Sequence, residues 1–279
     1  MGKVIKVDCV IVGRAIAMVG IGLGLAAIWT NLFTAGIHAK YADDGTMMAY
    51  ILATLIAAAL LLLAGFIGIR GLDCAAAIAG AAVFGFLLFY PTAFSFDNVG
   101  KGGWFGICAV LVPIGAWTAH VAGRSAPPVR KQPPLLMALP VTLGMGLCLA
   151  GIWLPAEHAT KFWDFGGGHL TGFVLLELII LLAVLVLSAL GGALPIAADA
   201  GLLVAGVAFG LAETNVIVTA FNHFGELRYG AWLLTAGGVV LLAGAWWLQK
   251  YAQGDVKAVK PAQAAKTSKN PARATKTSK

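Results

Sequence analysis

Charged residues are scarce in this chain. Lys, Arg, Asp and Glu together make up 11% of its 279 residues, whereas a soluble globular domain carries about a quarter. The hydrophobic fraction is 60% and the mean hydropathy is +0.89. This composition excludes an ordinary soluble domain and predicts an integral membrane protein.

Motifs of the common enzyme classes are also missing. The chain contains no Gly-x-x-x-x-Gly-Lys-Ser/Thr phosphate loop, no Gly-x-Ser-x-Gly nucleophile elbow and no Cys-x-x-Cys pair. Its four cysteines lack the spacing of a metal knuckle, so we interpret them as small apolar residues in or near helices. The sequence therefore gives no reason to assign an enzyme, and we predict no organic cofactor.

Long apolar runs dominate what is present. Runs of more than about 18 residues without period-two alternation predict membrane-spanning helices rather than barrel strands. Hydropathy predicts eight such helices, at residues 15–36, 46–69, 73–94, 103–123, 134–155, 169–192, 196–220 and 228–249. We therefore expect an all-α integral membrane protein with eight transmembrane helices.

The second half of the chain repeats the first. The segment GIGLGLAAIW at 20–29 returns as GMGLCLAGIW at 144–153, and further matches follow at separations of 120 to 129 residues. Each half supplies four predicted helices, and an even number inserts both halves in the same direction, with a pseudo-two-fold axis along the membrane normal. The expected organisation is a first four-helix repeat at 1–123, a Pro-rich basic linker at 124–133, a second repeat at 134–250 and a disordered basic tail at 251–279.

The basic residues predict the orientation. Of the 19 Lys and Arg residues, 15 fall on the side of the two termini, and each loop on the other side holds only one. The positive-inside rule then places both termini in the cytoplasm, in a bacterial-type cytoplasmic membrane. The tail is expected to bind anionic lipid headgroups, at about 1 kcal/mol per basic residue. A protein partner is the alternative, and nucleic acid is not expected because no folded nucleic-acid-binding module accompanies the tail.

Small residues recur four positions apart on three predicted helices. Such faces let helix backbones approach closely in a lipid environment. We predict that they pack helices within one chain; contact with a second copy or with other membrane subunits is the alternative. The residues are Gly20, Gly24, Gly144, Cys148, Gly206 and Gly210.

Two glutamates inside predicted helices form the candidate transport site. Glu177 lies in the sixth span, and Glu213, followed by Thr214 and Asn215, interrupts the apolar run of the seventh. A carboxylate at membrane depth costs about 2.5–3.5 kcal/mol, so it usually faces a bundle interior or a water-filled cavity. The equivalent positions of the first half are apolar. We interpret Glu177, Glu213 and Asn215 as part of a proton or cation path; a neutral acid bonded to a neighbouring helix, or one hydrated near the outer interface, is the alternative.

The predicted outer loops repeat a His-to-Asp element. His38 and Asp43 in the first half correspond to His158 and Asp164 in the second. Imidazole suits zinc, copper, iron or nickel, yet no His-x-x-x-His pair fixes two ligands on one helix. A transition-metal site is thus a weak hypothesis beside ordinary solvated loop residues.

Three functions follow from these patterns. The first is a small-solute or ion permease with its site near the interface of the two repeats. The second is a non-catalytic subunit or scaffold of a membrane complex. The third is a metal-dependent membrane enzyme acting at the outer face.

Overall fold

The computed structural model describes residues 8–34, 39–67, 69, 72–93, 99–123, 138–157, 160–161, 169–191, 194–223 and 228–253. Side chains are described in the same ranges apart from 89–93, 155–157, 160–161, 169–174, 195, 214–223 and 252–253. His38, His158 and Asp164 lie outside the described residues, as do the linker 124–133 and the tail from 254 onward.

The described part of the chain is almost entirely helical. It also contains a 3₁₀ turn, Tyr41–Asp43, and a short antiparallel hairpin of β1, Pro155–Glu157, with β2, Thr160–Lys161. The helices are α1 Cys9–Trp29, α2 Gly45–Phe66, α3 Leu72–Ala93, α4 Lys101–Cys108, α5 Leu111–Ala122, α6 Leu139–Trp153, α7 His169–Leu190, α8 Pro195–His223 and α9 Tyr229–Gln253.

Five stretches of these helices are long and apolar enough to cross a membrane. They are Cys9–Trp29, Gly45–Phe66, Lys101–Ala122, Ile196–Glu213 and Tyr229–Tyr251, and the third of them joins α4 to α5. Shorter apolar stretches occupy Leu72–Leu88, Leu139–Trp153 and Leu175–Leu190. Large apolar side chains such as Leu60 and Ile179 are more than half exposed, at 61% and 63%, as expected of a surface that faces lipid. The protein is therefore an all-helical membrane protein.

Several helix ends differ from those predicted. Helix α1 begins at Cys9 rather than residue 15, because Asp8 caps it by accepting a hydrogen bond from the Val10 backbone N–H at 2.9 Å. It also ends at Trp29 instead of residue 36, since the chain then extends and Phe33 pairs with Val99 in an isolated bridge. The predicted fourth span is divided into α4 and α5 by a turn at 109–110.

The helices form two groups, each with its own apolar core. In the first group α1 packs against α5, α2 against α3, and α3 against α5; in the second, α6 packs against α9, α7 against α8, and α8 against α9. Helices α3 and α8 join the groups, with smaller contacts of α2 to α8 and of α3 to α7. Buried residues such as Leu55 and Phe86 form the first core, and Leu181 and Leu234 belong to the second.

Glycines set the closest helix contacts within each group. A Cβ atom at Gly20 would lie 2.5 Å from the Val112 backbone nitrogen on α5. A Cβ atom at Gly144 would overlap the Leu241 backbone nitrogen on α9. Such approaches are open only to glycine, so both glycines face helices of their own chain.

The crossing of α3 and α8 depends on glycine in the same way. A Cβ atom at Gly85 on α3 would overlap the Val207 carbonyl oxygen, and one at Gly210 on α8 would overlap the Ala82 carbonyl oxygen. Gly206, one turn earlier on α8, lies against Ala81, with 2.9 Å between a Cβ atom built there and that of Ala81. The backbones of the two groups therefore touch at this crossing.

Candidate functional site

The two predicted glutamates lie near one end of the second group of helices. Glu177 is eight residues after the start of α7, about 12 Å along the axis, and Glu213 is ten residues before the end of α8, about 15 Å. The start of α7 and the end of α8 lie at the same end of the bundle, because these two packed helices are joined at the opposite end by residues 191–194. Both carboxyl groups therefore lie towards the same end of the bundle.

Both glutamates are buried. Glu177 has no exposed surface and Glu213 has 7%. Helix α8 runs without a break through Glu213, Thr214 and Asn215, so the polar residues do not interrupt the helix itself. The side chain of Asn215 is outside the described set, and its role stays a prediction.

Side chains from three further helices lie near one or both of the glutamates. The Cys148 thiol of α6 lies within electrostatic range of both carboxyl groups. The Thr235 hydroxyl of α9 lies beside the Glu213 carboxyl, at the margin of hydrogen-bonding geometry. Tyr50 of α2, in the first group, is within electrostatic range of Glu213, and its ring packs on Phe86 with 4.6 Å between centroids.

The Glu177 carboxyl has no hydrogen-bond partner among the described residues. This holds for both of its oxygens, and Oε1 of Glu213 also has no hydrogen-bond partner among the described residues. The nearby core consists of residues such as Leu181 and Val184. Because burial of an unpaired carboxylate is strongly unfavourable, this environment is suited to a carboxyl group that carries its proton.

A second buried polar layer lies towards the other end of the bundle, and the sequence analysis missed it. Asp199 accepts a 2.7 Å hydrogen bond from the Gln249 side-chain amide, and each of these residues is 2% exposed. Asp199 falls inside the predicted span 196–220, so Glu177 and Glu213 are not the only acidic residues within the predicted helices. A count of Asp as well as Glu in that span would have found it.

An ion pair completes this second layer in the first group of helices. Arg14 of α1 donates from Nε and Nη2 to the two carboxylate oxygens of Asp73 on α3, each at 2.9 Å. Arg14 also lies over the Phe66 ring, 5.1 Å from its centroid. The predicted helix boundaries placed Arg14 before the first span and Asp73 at the first residue of the third, which hid the pair.

The two layers are about 21 Å apart along α8, because Asp199 and Glu213 are separated by 14 residues. Between them α8 presents Gly206 and Gly210 to α3 and buries apolar residues such as Leu202. One helix thus carries a buried carboxyl group in each layer.

The outer-loop metal hypothesis gains no support from the residues that the structure describes. Asp43 ends the 3₁₀ turn, and its Oδ2 accepts a 2.7 Å hydrogen bond from the Lys40 backbone N–H, which is a local capping role. Among the described residues, no three His, Cys, Asp or Glu side chains lie together as a metal site requires.

Comparison with protein-family models, with curated proteins and with solved structures gave no match to this chain. The class that its fold and hydropathy define is the all-helical membrane protein, with a buried pair of glutamates as the candidate site.

Proposed function

We propose that this protein is a small-solute or ion permease whose site is built around Glu177 and Glu213. The observation that carries the proposal is Glu177, a fully buried carboxyl without a hydrogen-bond partner among the described residues of an apolar helical bundle. An ionisable group at membrane depth is costly, and it usually belongs to a substrate or ion path. A helix whose only role is to pack against its neighbours does not need an ionisable group.

The proposed architecture has eight transmembrane helices in two tandem repeats, with α4 and α5 together forming the fourth. Equivalent contacts in the two halves support it. Gly20 meets Val112 in the first half, and Gly144 meets Leu241 in the second. Gly144 lies 124 residues after Gly20, and Leu241 lies 129 residues after Val112, which matches the offsets of the sequence repeat. The two copies therefore pair their first and last helices through the same positions.

The crossing between the halves supports a pseudo-two-fold axis. Adding 125 to Ala82 and Gly85 gives Val207 and Gly210. Gly85 touches Val207, and Gly210 touches Ala82. The second contact is therefore the first one with each residue replaced by its equivalent in the other half. This reciprocal pattern is the one that a two-fold axis produces at an interface. The axis would pass between α3 and α8, along the membrane normal if both halves insert alike.

The proposed site lies beside this axis and breaks its symmetry. Glu213 is one turn beyond Gly210, and the residue equivalent to it in the first half is Leu88. Leu88 packs against the second apolar core, whereas Glu213 has Tyr50 of the first half nearby. A polar group on one side only is what a site added to a duplicated scaffold would leave.

The rest of the proposal concerns the surroundings of the bundle. Both termini are proposed to lie in the cytoplasm of a bacterial-type membrane, with the basic tail on anionic headgroups. The layer that holds Glu177 would then be nearer the outer face. The glycine faces at Gly20, Gly144 and Gly210 are occupied by helices of the same chain, so under the scaffold alternative partners would bind through other surfaces, such as the outer loops or the basic tail.

Flux through reconstituted liposomes tests the permease proposal. Proteoliposomes with the full chain are loaded with a pH-sensitive dye or with radiolabelled small solutes, and uptake is compared with that of empty liposomes. We expect flux above background that Glu177→Gln and Glu213→Gln reduce at least about tenfold. Glu226→Gln, the same chemical change in a predicted outer loop, should leave flux unaltered. Equal flux in all three variants, the parent protein and empty liposomes would refute the proposal.

A further inference from the structure

We propose that the ligand of the Glu177 and Glu213 site is the proton, bound and released by the two carboxyl groups themselves. The inference deepens the permease proposal and rests on it for its physiological role. It favours the proton among the cations that the sequence pattern left open, and addition of Na⁺ or K⁺ is one arm of its test.

The described groups near the two carboxyl groups are neutral or acidic. Helix α6 contributes the Cys148 thiol, α9 the Thr235 hydroxyl and α2 the Tyr50 phenol. Helix α3 contributes apolar residues such as Leu88 to the adjoining core. Among the described side chains of this layer there is no Lys, Arg or His. With no cation to compensate it, a carboxylate at Glu177 is disfavoured, and the protonated acid is the stable state.

A divalent metal ion is poorly matched to the described part of the same surroundings. Calcium takes six to eight oxygen ligands, and magnesium keeps an octahedral shell. The described residues include no cluster of three His, Cys, Asp or Glu side chains, and the core around Glu177 is lined by residues such as Leu181 and Val184. A carboxyl group needs no further ligand to bind a proton, because the proton is held by a covalent O–H bond.

Uptake and release balance without any redox partner. In uptake, a carboxylate oxygen forms an O–H bond while a hydronium ion loses that proton and becomes water. Release breaks the same O–H bond and returns the proton to water, so no electron is transferred. Glu213 keeps 7% exposure while Glu177 has none, so Glu213 is the more accessible of the two carboxyl groups.

Infrared difference spectroscopy of the reconstituted full-length protein tests this assignment. The C=O stretching band of a protonated carboxyl is distinct from the carboxylate bands, and it is followed from about pH 5 to about pH 9, well above the range in which an ordinary glutamate ionises. We expect a protonated-carboxyl band at neutral pH from which Glu177→Gln and Glu213→Gln each remove one component. Glu226→Gln serves as the matched control and should keep the band. If Glu177→Gln removes carboxylate bands instead, Glu177 is ionised and the proposal is overturned.

Two further arms keep the test decisive. Adding Na⁺, K⁺ or Zn²⁺ at fixed pH should leave the protonated band unchanged, and its replacement by carboxylate bands would show that a cation is the ligand. If Glu177→Gln does not fold, Glu177→Leu gives the same comparison with the side-chain type found at the equivalent first-half position. If solute flux depends on Glu177 but no protonated band is found, the proton is refuted as the ligand while the permease proposal stands. A protonated band without any flux would refute the permease proposal alone.

Discussion

Matched glycine substitutions measure how closely the helices of each half are packed. Gly20 and Gly22 lie two residues apart on α1, and Gly144 and Gly146 are their equivalents on α6. A Cβ atom at Gly20 would be 2.5 Å from the Val112 nitrogen, whereas one at Gly22 or Gly146 would have no atom within 4 Å. Alanine at Gly20 thus forces two helices apart, and alanine at Gly22 only enters open space.

The expected magnitudes follow from two opposing effects. Alanine is favoured over glycine in a helix by about 0.8–1 kcal/mol, a gain that both sites share. Overpacking costs about 1–3 kcal/mol, and it applies only at Gly20 and Gly144. We therefore expect Gly20→Ala to be less stable than Gly22→Ala by about 1–3 kcal/mol, with the same difference between Gly144→Ala and Gly146→Ala.

Unfolding in mild detergent, followed by circular dichroism during heating or titration with a denaturing detergent, measures these differences. The Gly22→Ala and Gly146→Ala variants are the controls and should equal or exceed the parent in midpoint. If Gly20→Ala proves as stable as Gly22→Ala, the close contact between α1 and α5 is wrong. If the difference appears in one half but not the other, the proposed equivalence of the two repeats fails.

Three other substitutions test separate parts of the structure by the same unfolding measurement. Asp73→Asn should lower the free energy of unfolding by about 1.5 kcal/mol, because it replaces the charged acceptor of two hydrogen bonds from the partly buried guanidinium of Arg14 with a neutral one; Arg14→Met combined with Asp73→Leu should recover most of that loss, and strictly additive effects would contradict the ion pair. Tyr41→Phe removes a 2.8 Å buried hydrogen bond from the phenol to the Leu87 carbonyl oxygen, so we expect a loss of about 1 kcal/mol, and an unchanged midpoint would argue against that bond. Glu177→Leu should be neutral or stabilising by about 1–3 kcal/mol, since it replaces an unpaired buried polar group with an apolar one, and a loss as large as that of Asp73→Asn would mean that Glu177 has a partner.

Hydropathy predicted where the helices lie but not where they end. The apolar runs coincide with helices because a lipid environment requires every backbone group to be bonded within its own segment. Ends such as Trp29, and the turn at 109–110 between α4 and α5, were missed. The two ends of α1 depend on Asp8 as a cap and on the extended pairing of Phe33 with Val99, which are contacts that a hydropathy window does not contain.

The candidate site was predictable in part for the same reason. Glu177 and Glu213 are conspicuous in the sequence because they stand in otherwise apolar runs. Cys148, Thr235 and Tyr50 were not predicted as their neighbours, since they come from three other helices and only the packing brings them to one depth. Asp199 was overlooked near a helix end, and its bond to Gln249 joins residues 50 positions apart in the chain.

The sequence by itself determined the class of this protein: an apolar helical chain, with few charges and two glutamates in runs that leave little room for polar groups. Tertiary structure decided which of those groups find partners. Arg14 and Asp73 meet, as do Asp199 and Gln249, whereas Glu177 remains without a hydrogen-bond partner among the described residues. The physical reason is that hydropathy depends on local composition, while the state of a buried charge depends on atoms that only the folded chain brings within a few ångströms.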